Sequence, residues 1–569
     1  MAKKPEKDKK EKSELVFVAM GGLGEIGMNC YLYGLGPPNA RKWLMVDLGL
    51  TFPGDGEFGV DVVFPDLRFI SAERGNLAGI VITHAHEDHI GAVIDNWHEL
   101  RAPIYATPFT MGMLKSKIGD YGGQDPLPLN TVALGSRFNV GPFDIELVDM
   151  AHSIPEPSAL AIRTPHGLVV HSGDWKLDET PVLGRPCNAK RLAELGEEGV
   201  EALICDSTNA MRDGVSPSES DVAASLGEII KKHDKRVVVT TFSSNVGRVK
   251  AIADAAAAAG RKLVVAGRSI HRVIQVGIET GYLPKDFSYL DQDQFTYLER
   301  NEIVLLCTGS QGEPRAALSR IADGDHQFIK LAKGDLVIYS SRDIPGNEKS
   351  ISRVQNNLAR MGVDVLTDSD GLVHVTGHPR RDELKQMYDW LKPKVAIPMH
   401  GEARHLKEHA ALAKKFGAER SFVIVDGEIV RLAPGSAGII DEAPVGRKYR
   451  DGRLIVSSTD GPVRDRRKLA MSGIAVVALA LSKRGDLLDD PEVVLDGIPE
   501  DTADGDDMYD VVLDAIDGTI ASIPPSRRKD PDLVREAVRK AVRSAIANEW
   551  GKRPITKVLV SVVNVKANA

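Results

Sequence analysis

Six consecutive residues constrain this chain more than any other stretch: His84-Ala85-His86-Glu87-Asp88-His89, set directly after the apolar run GIVIT. Three imidazoles and two carboxylates packed this densely are mutually repulsive unless a cation collects them. An ordinary polar surface loop is therefore a poor account of the segment. Nitrogen and oxygen donors without thiolate suit Zn²⁺ or Mn²⁺. In an extended loop His84 and His86 point the same way, whereas Asp88 and His89 lie further on and can address a second ion. Four ligands do not complete two sites. Three further candidates each follow a run that reads as a buried strand: His152 after IELVDMA, Asp174 after LVVHSG and His400 after KVAIPM.

Around these residues the chain alternates short β-rich runs with turns: ELVFVAMGG, KWLMVDLGL, LAGIVITHAH, FDIELVDMAH and GLVVHSGDWK. From about Cys205 to Leu366 the rhythm becomes strand and helix in turn. The strands are RVVVTTFSSN, KLVVAGRSI, EIVLLCTGSQG and DLVIYSSRD; SESDVAASLGEIIKKH, VGRVKAIADAAAAAG and HRVIQVGIETG read as helices. Such alternation predicts a parallel sheet covered by helices. Beyond Gly371 the first rhythm returns in KVAIPMHGEARHL and SFVIVDGEIVRL, so the α/β stretch reads as an insertion. The expected division is a disordered basic tail over 1–14, a first domain over 15–204 that resumes over 371–440, an insertion over 205–370, a linker over 441–467 and a small α/β domain over 468–569. Several domains are also what 569 residues require.

Strand ends in the insertion repeatedly present small donors: Ser243-Ser244-Asn245, Gly267-Arg268-Ser269, Thr308-Gly309-Ser310 and Ser340-Ser341-Arg342. Ligands of parallel sheets bind beyond the carboxyl ends of the strands, and such loops suit phosphate. The net charge of −8 excludes a uniformly basic nucleic-acid surface but allows a local positive groove. The four cysteines are scattered, which suggests neither a disulfide framework nor a thiolate metal site. No signal peptide follows the lysine-rich leader, and no apolar run is long enough to span a bilayer, so a cytoplasmic protein without membrane contact is expected.

The order Asp47, HAHEDH, His152, Asp174 resembles the metallo-β-lactamase fold. That resemblance implies an α/β chain built on an αββα sandwich. His84, His86 and His152 would bind one ion; Asp88, His89 and a late histidine, His400, the other. Asp174 would bridge the two, and Asp47 would orient the ligands. Cys205-Asp206-Ser207-Thr208-Asn209-Ala210, His374-Val375-Thr376-Gly377-His378 and Pro398-Met399-His400-Gly401-Glu402 resemble the signature stretches of β-CASP nucleases. CTGSQGEPRAAL, SSRDIPGNE and GGLGEIGMN resemble the bacterial ribonuclease J family, from about Leu15 to Leu432, and a C-terminal α/β unit also occurs there. Gly247 stands where relatives often have histidine, and Thr376 and Pro379 where serine and a small residue are frequent.

The resemblance implies a metal-dependent ribonuclease, with 5′-to-3′ exonuclease activity on 5′-monophosphorylated RNA and endonuclease activity, in RNA decay and maturation. Two Zn²⁺ per subunit are expected, with Mn²⁺ or Mg²⁺ as alternatives; they would activate water for in-line attack at phosphorus. Asp88, His378 and Asp206 are the expected catalytic residues, His378 as proton donor and Asp206 fixing His400 or a nearby loop. A 5′-phosphate pocket is expected at Ser243, Ser244, Asn245 and His374, Val375, Thr376, Gly377, His378. A homodimer or homotetramer and partners in an RNA-decay complex complete the expectation. Two other functions remain open: a small-molecule metallo-hydrolase of the same fold, which would lack the insertion, and an inactive RNA-binding paralogue, which would have lost ligands.

Overall fold

A computed structural model describes residues 12–120, 127–458 and 461–563. Most of the lysine-rich leader, residues 1–11, and the last six residues lie outside them. The chain forms two compact units, Met1–Thr51 with Val63–Lys448, and Phe52–Val62 with Tyr449–Ala569.

The first unit is built on two sheets. One has eight strands, in spatial order Gly438–Glu442, Glu428–Ala433, Glu14–Gly21, Cys30–Gly36, Lys42–Val46, Leu77–Val81, Ile104–Ala106 and Leu129–Thr131. The other has seven: Arg420–Ser421, Val395–Met399, Val200–Asp206, Gly167–His171, Ser158–Thr164, Phe143–Asp149 and Arg137–Val140. Their inner faces share one core, in which Phe17, Tyr33, Leu44 and Val46 meet Leu147, Leu160, Ile204 and Ile397. Because side chains alternate across a strand, the next residues along face outward. Val148, Val170, Leu203 and Ala396 accordingly pack beneath Leu192, Leu195, Met387 and Tyr388 of the helices Ala189–Glu198 and Arg381–Leu391. This is the αββα sandwich.

Strands Val200–Asp206 and Val395–Met399 are parallel neighbours, and the α/β insertion leaves between them. Its six strands run Leu290–Asp291, Lys262–Ala266, Ile303–Cys307, Val237–Thr240, Leu336–Tyr339 and Asp364–Leu366, all parallel. The helix Glu219–Lys232 starts at a capping box made by Ser218 and Asp221 and ends on Lys231 and Lys232, which suits the helix dipole at both ends.

Particular expectations change. The first strand starts at Glu14, within the expected tail. Cys205 and Asp206 end a sandwich strand instead of opening the insertion, because their run VEALICD is continuous and buried. The expected linker holds strands Arg447–Asp451 and Leu454–Ser457 and runs into a helix, Gly461–Ser472. Met471 and Ser472 end that helix, Gly473 with φ +63° turns the chain, and the next strand is Ile474–Ser482.

In the second unit that strand lies between Glu492–Asp496, antiparallel, and Ile555–Val563, parallel. Helices Met508–Ser522 and Pro531–Trp550 cover one face, burying Val512, Ile516, Val538 and Val542 against Val477 and Leu479. Among the described residues no helix is long and apolar enough to cross a membrane.

Candidate functional site

The HAHEDH turn leaves the end of strand Leu77–Val81 and is held there by Asp47, the residue after the neighbouring strand. Asp47 is fully buried and adopts φ +60°. Its carboxylate accepts from the Thr83 N–H at 2.7 Å and the Thr83 hydroxyl at 2.8 Å, and lies 2.7 Å from His89 Nδ1. One side chain thereby sets both the entry of the turn and the tautomer of its last imidazole.

Three groups of donor atoms gather here, within 4.8 Å of one another in each: His84, His86, His152 and Asp174; Asp88, His89, Asp174 and His400; and Asp174, Asp206, His378 and His400. Every residue expected from sequence to hold a metal is in one of the first two, and Asp174 is common to all three. The donors come from loops after strands of both sheets, so the site sits at one edge of the sandwich. His152 reaches across to the returning chain, with Nδ1 on the Gly377 carbonyl at 2.6 Å. Gly377 is required for this approach, since a Cβ there would meet the His152 ring at 2.5 Å.

The two groups differ in charge. Burial pushes His84 and His152 well below the usual histidine range and His86 down to about 4, so these rings are neutral and offer lone pairs. Burial opposes charge on His89 and His400 too, but Asp174 and its neighbouring carboxylates win: His89 is held well above its usual value and His400 is raised to about 10. Burial likewise works against ionised Asp88, yet His89 and His400 hold its carboxyl below the usual range. Asp174 Oδ1 and both His400 ring nitrogens are buried and lack a hydrogen-bond partner among the described residues, although Nδ1 lies 2.8 Å from that oxygen. Orphaned buried donors with imidazole and carboxylate chemistry fit a divalent cation.

His378 stands beside this cluster, its Nδ1 2.7 Å from Asp206 Oδ2, and Asp206 is itself anchored by the Thr208 N–H and hydroxyl. Asp206 therefore fixes His378; the His400 ring is farther, at 3.9 Å. Burial lowers His378, but Asp206 and Asp174 outweigh it and the ring's pKa is raised.

The expected pocket residues separate into two sets. Gly377 and His378 adjoin the donors, and Thr376 accepts from Asn209 Nδ2 at 2.8 Å. Val375 is buried, and His374 is pushed down to about 3 by burial and then by Arg248 and Arg342, with Nδ1 unpartnered among the described residues. Ser243 and Ser244 are half-exposed, but Asn245 is committed elsewhere: it caps helix Val246–Ala258 through the Arg248 N–H at 2.8 Å and bonds Glu219. Sequence reasoning gave no role to Asn209, which also holds the His378 carbonyl at 3.2 Å, nor to Asn29, 3.0 Å from His89 Nε2. Both lie in stretches singled out as motifs, and that was their only signal.

Comparison with known proteins places this geometry. Residues 23–239 match the metallo-beta-lactamase superfamily and residues 234–358 the ribonuclease J beta-CASP domain. Residues 363–424 match the Zn-dependent metallo-hydrolase RNA specificity domain, and 461–564 the ribonuclease J C-terminal domain. Ribonuclease J of Sinorhizobium meliloti is 49% identical over 556 residues, covering 98% of this chain and 99% of that one. The ribonuclease J of Corynebacterium glutamicum is 37% identical over 97% of this chain and 76% of its own. That of Mycolicibacterium smegmatis is 35% identical over 94% and 95% respectively.

Proposed function

This chain belongs to the ribonuclease J family and is a metal-dependent ribonuclease, and we propose that it degrades RNA 5′ to 3′ from a 5′-monophosphorylated end, cuts internally as well, and serves RNA decay and maturation in the cytoplasm. The observation that carries the reading is the shared position of Asp174, within reach of both donor groups and of His378. We assign two Zn²⁺ to it, with Mn²⁺ or Mg²⁺ as substitutes: His84, His86 and His152 would hold one, Asp88, His89 and His400 the other, and Asp174 both. Such a pair, when bound, supplies an acidified water and neutralises phosphate charge. The presence of the whole donor set disfavours an inactive paralogue, and the inserted domain disfavours a small-molecule hydrolase.

The protein's own residues do the rest. The neutral rings of His84, His86 and His152 have lone pairs free, whereas His89 and His400 give up protons before theirs are available. With Nδ1 donating to Asp206, His378 turns Nε2 away from that anchor, and the pKa raised by Asp206 and Asp174 favours the protonated ring as proton donor to the leaving 3′ oxygen. Ser243, Ser244 and the backbone at Gly377 would receive one terminal phosphate, with His374 beside it. A triphosphate brings two further charged groups that need space and counter-charge. We also read the divisions at 205 and 371 as bounding a functional domain to within a few residues, and the C-terminal domain as the site of assembly into a dimer or tetramer within an RNA-decay complex.

RNA labelled at its 3′ end and carrying one or three 5′-phosphates tests this, with and without chelator. The expected result is chelator-sensitive 5′-end degradation of the monophosphorylated RNA alone, lost in the Asp88→Ala/His89→Ala double variant while RNA binding persists. Equal degradation of both RNAs from the 5′ end would mean that the pocket residues merely line an open channel.

A further inference from the structure

The stretch Gly21 to Asn29 ends on a fully buried amide. The Asn29 N–H donates to the Asp88 carbonyl and its carbonyl accepts from the Gly49 N–H, both at 2.9 Å, which stitches residue 29 between the HAHEDH turn and the loop beyond strand Lys42–Val46. The side chain continues the stitch. Nδ2 donates to Asp88 Oδ2 at 3.3 Å and lies 3.0 Å from His89 Nε2, while Oδ1 accepts from the Tyr31 hydroxyl at 2.7 Å.

Tyr31 decides which way the amide faces. Burial, and after it the nearby carboxylates, holds the phenol far from ionising, so it stays a donor and must meet Oδ1. Nδ2 is then the end turned to Asp88 and His89. Gly22 makes room for the arrangement: at φ +94°, a Cβ would lie 2.5 Å from the Tyr31 hydroxyl and 2.8 Å from Asn29 Oδ1.

The contacts are one-sided. Asn29 meets Asp88 and His89 of one donor group, whereas the other group is set by different residues, with Thr83 Oγ1 3.0 Å from His84 Nδ1 and Gly377 on His152. We propose that Asn29 is a positioning residue for the second metal position alone: oriented by Tyr31, its side-chain amide and its backbone N–H hold Asp88 in place beside His89 and so set the affinity of one ion without that of its neighbour. This rests on the two-ion reading above. Losing a residue that orients ligands typically costs about 10–100-fold in metal affinity.

The test is zinc retention by the full-length protein, dialysed at graded free zinc set by a chelator buffer, with zinc per chain measured for wild type, Asn29→Ala and Tyr31→Phe, and melting of each followed in parallel. Wild type should show two binding classes. Asn29→Ala should weaken one class by about tenfold or more and leave the other unchanged, and Tyr31→Phe should weaken the same class by less. Tyr31→Phe keeps the ring and removes only the hydroxyl, so it carries the test if Asn29→Ala does not fold. Wild-type retention of both ions in the variants overturns the proposal, and so does equal weakening of both classes, which marks general loosening. A wild-type protein that takes up a single zinc overturns the two-ion reading, and that result is seen before any substitution is made.

Discussion

Asp426 precedes the strand Glu428–Ala433 and borders a cavity of about 210 Å³ that also takes in Glu25 and Arg447. Its Oδ1 has no hydrogen-bond partner among the described residues. Burial, then the charge of Glu25, pushes its carboxyl up to about 7, against the Leu23 N–H and Arg447. The folded protein therefore binds a proton between about pH 4 and 7 that the unfolded chain has released, so stability falls across that window as pH rises and is flat above it. Asp426→Asn keeps an acceptor for Leu23 and removes the charge. Its unfolding free energy should exceed wild type by a margin that grows from about pH 5 to about pH 8, reaching about 2 kcal/mol after allowing for partial exposure, read from denaturant melts at each pH. A margin independent of pH would show that the carboxyl titrates normally. At this scale the metal donors were legible because imidazoles and carboxylates rarely crowd into six residues for any other reason. Asn29, Asn209 and Asp426 were not, because an amide or carboxylate beside a strand looks the same in sequence whether it faces solvent or a buried ligand.

Helix Val246–Ala258 holds Arg248 with no exposed surface. Its guanidinium donates to Glu219 at 2.8 Å, to the Ser340 carbonyl at 3.2 Å and to the Val373 carbonyl at 3.1 Å. Three segments of the insertion, and the start of the stretch leading to His378, thus meet on one side chain. Removing one partner of a buried pair leaves an uncompensated charge, here Glu219, at a cost of about 3–5 kcal/mol. Arg248→Met should lower the melting temperature by a corresponding margin and reduce kcat/KM, and Arg248→Lys should recover little of either, since one ammonium cannot reproduce the planar fork. A Lys variant equal to wild type in both assays would show that charge alone suffices. The same elements show where sequence reading stops. The alternating rhythm gave the insertion and its parallel sheet, because each apolar run is a strand length bounded by turns. The Ser-rich strand ends were read as phosphate donors, yet Asn245 is used as a helix cap and the Ser340 hydroxyl donates to Val373 at 2.7 Å. A sequence displays a loop's donors, and only packing determines which of them are already engaged.

For the whole molecule the open question is assembly. The helix Pro531–Trp550 is amphipathic, and its apolar residues Val534, Val538, Val542 and Ile546 are buried within the C-terminal unit itself. The unsatisfied surface is the opposite face of the sheet, which the two helices do not cover. There Val476 pairs with Val494 and Ala478 with Leu559, and Val494 and Leu559 are 50% and 60% exposed. Glu492, Asp496 and Lys557 lie on the same face, so an isologous contact with its own copy would centre on Val494 and Leu559 with these charges around them. Replacing both Val494 and Leu559 by lysine in the full-length chain would place two like charges at the centre of such a contact while leaving the internal core of Val477, Leu479 and Val538 intact. Light scattering should then report a smaller particle than wild type, with the unit's melting transition retained. If the variant has the wild-type mass, this face does not join subunits.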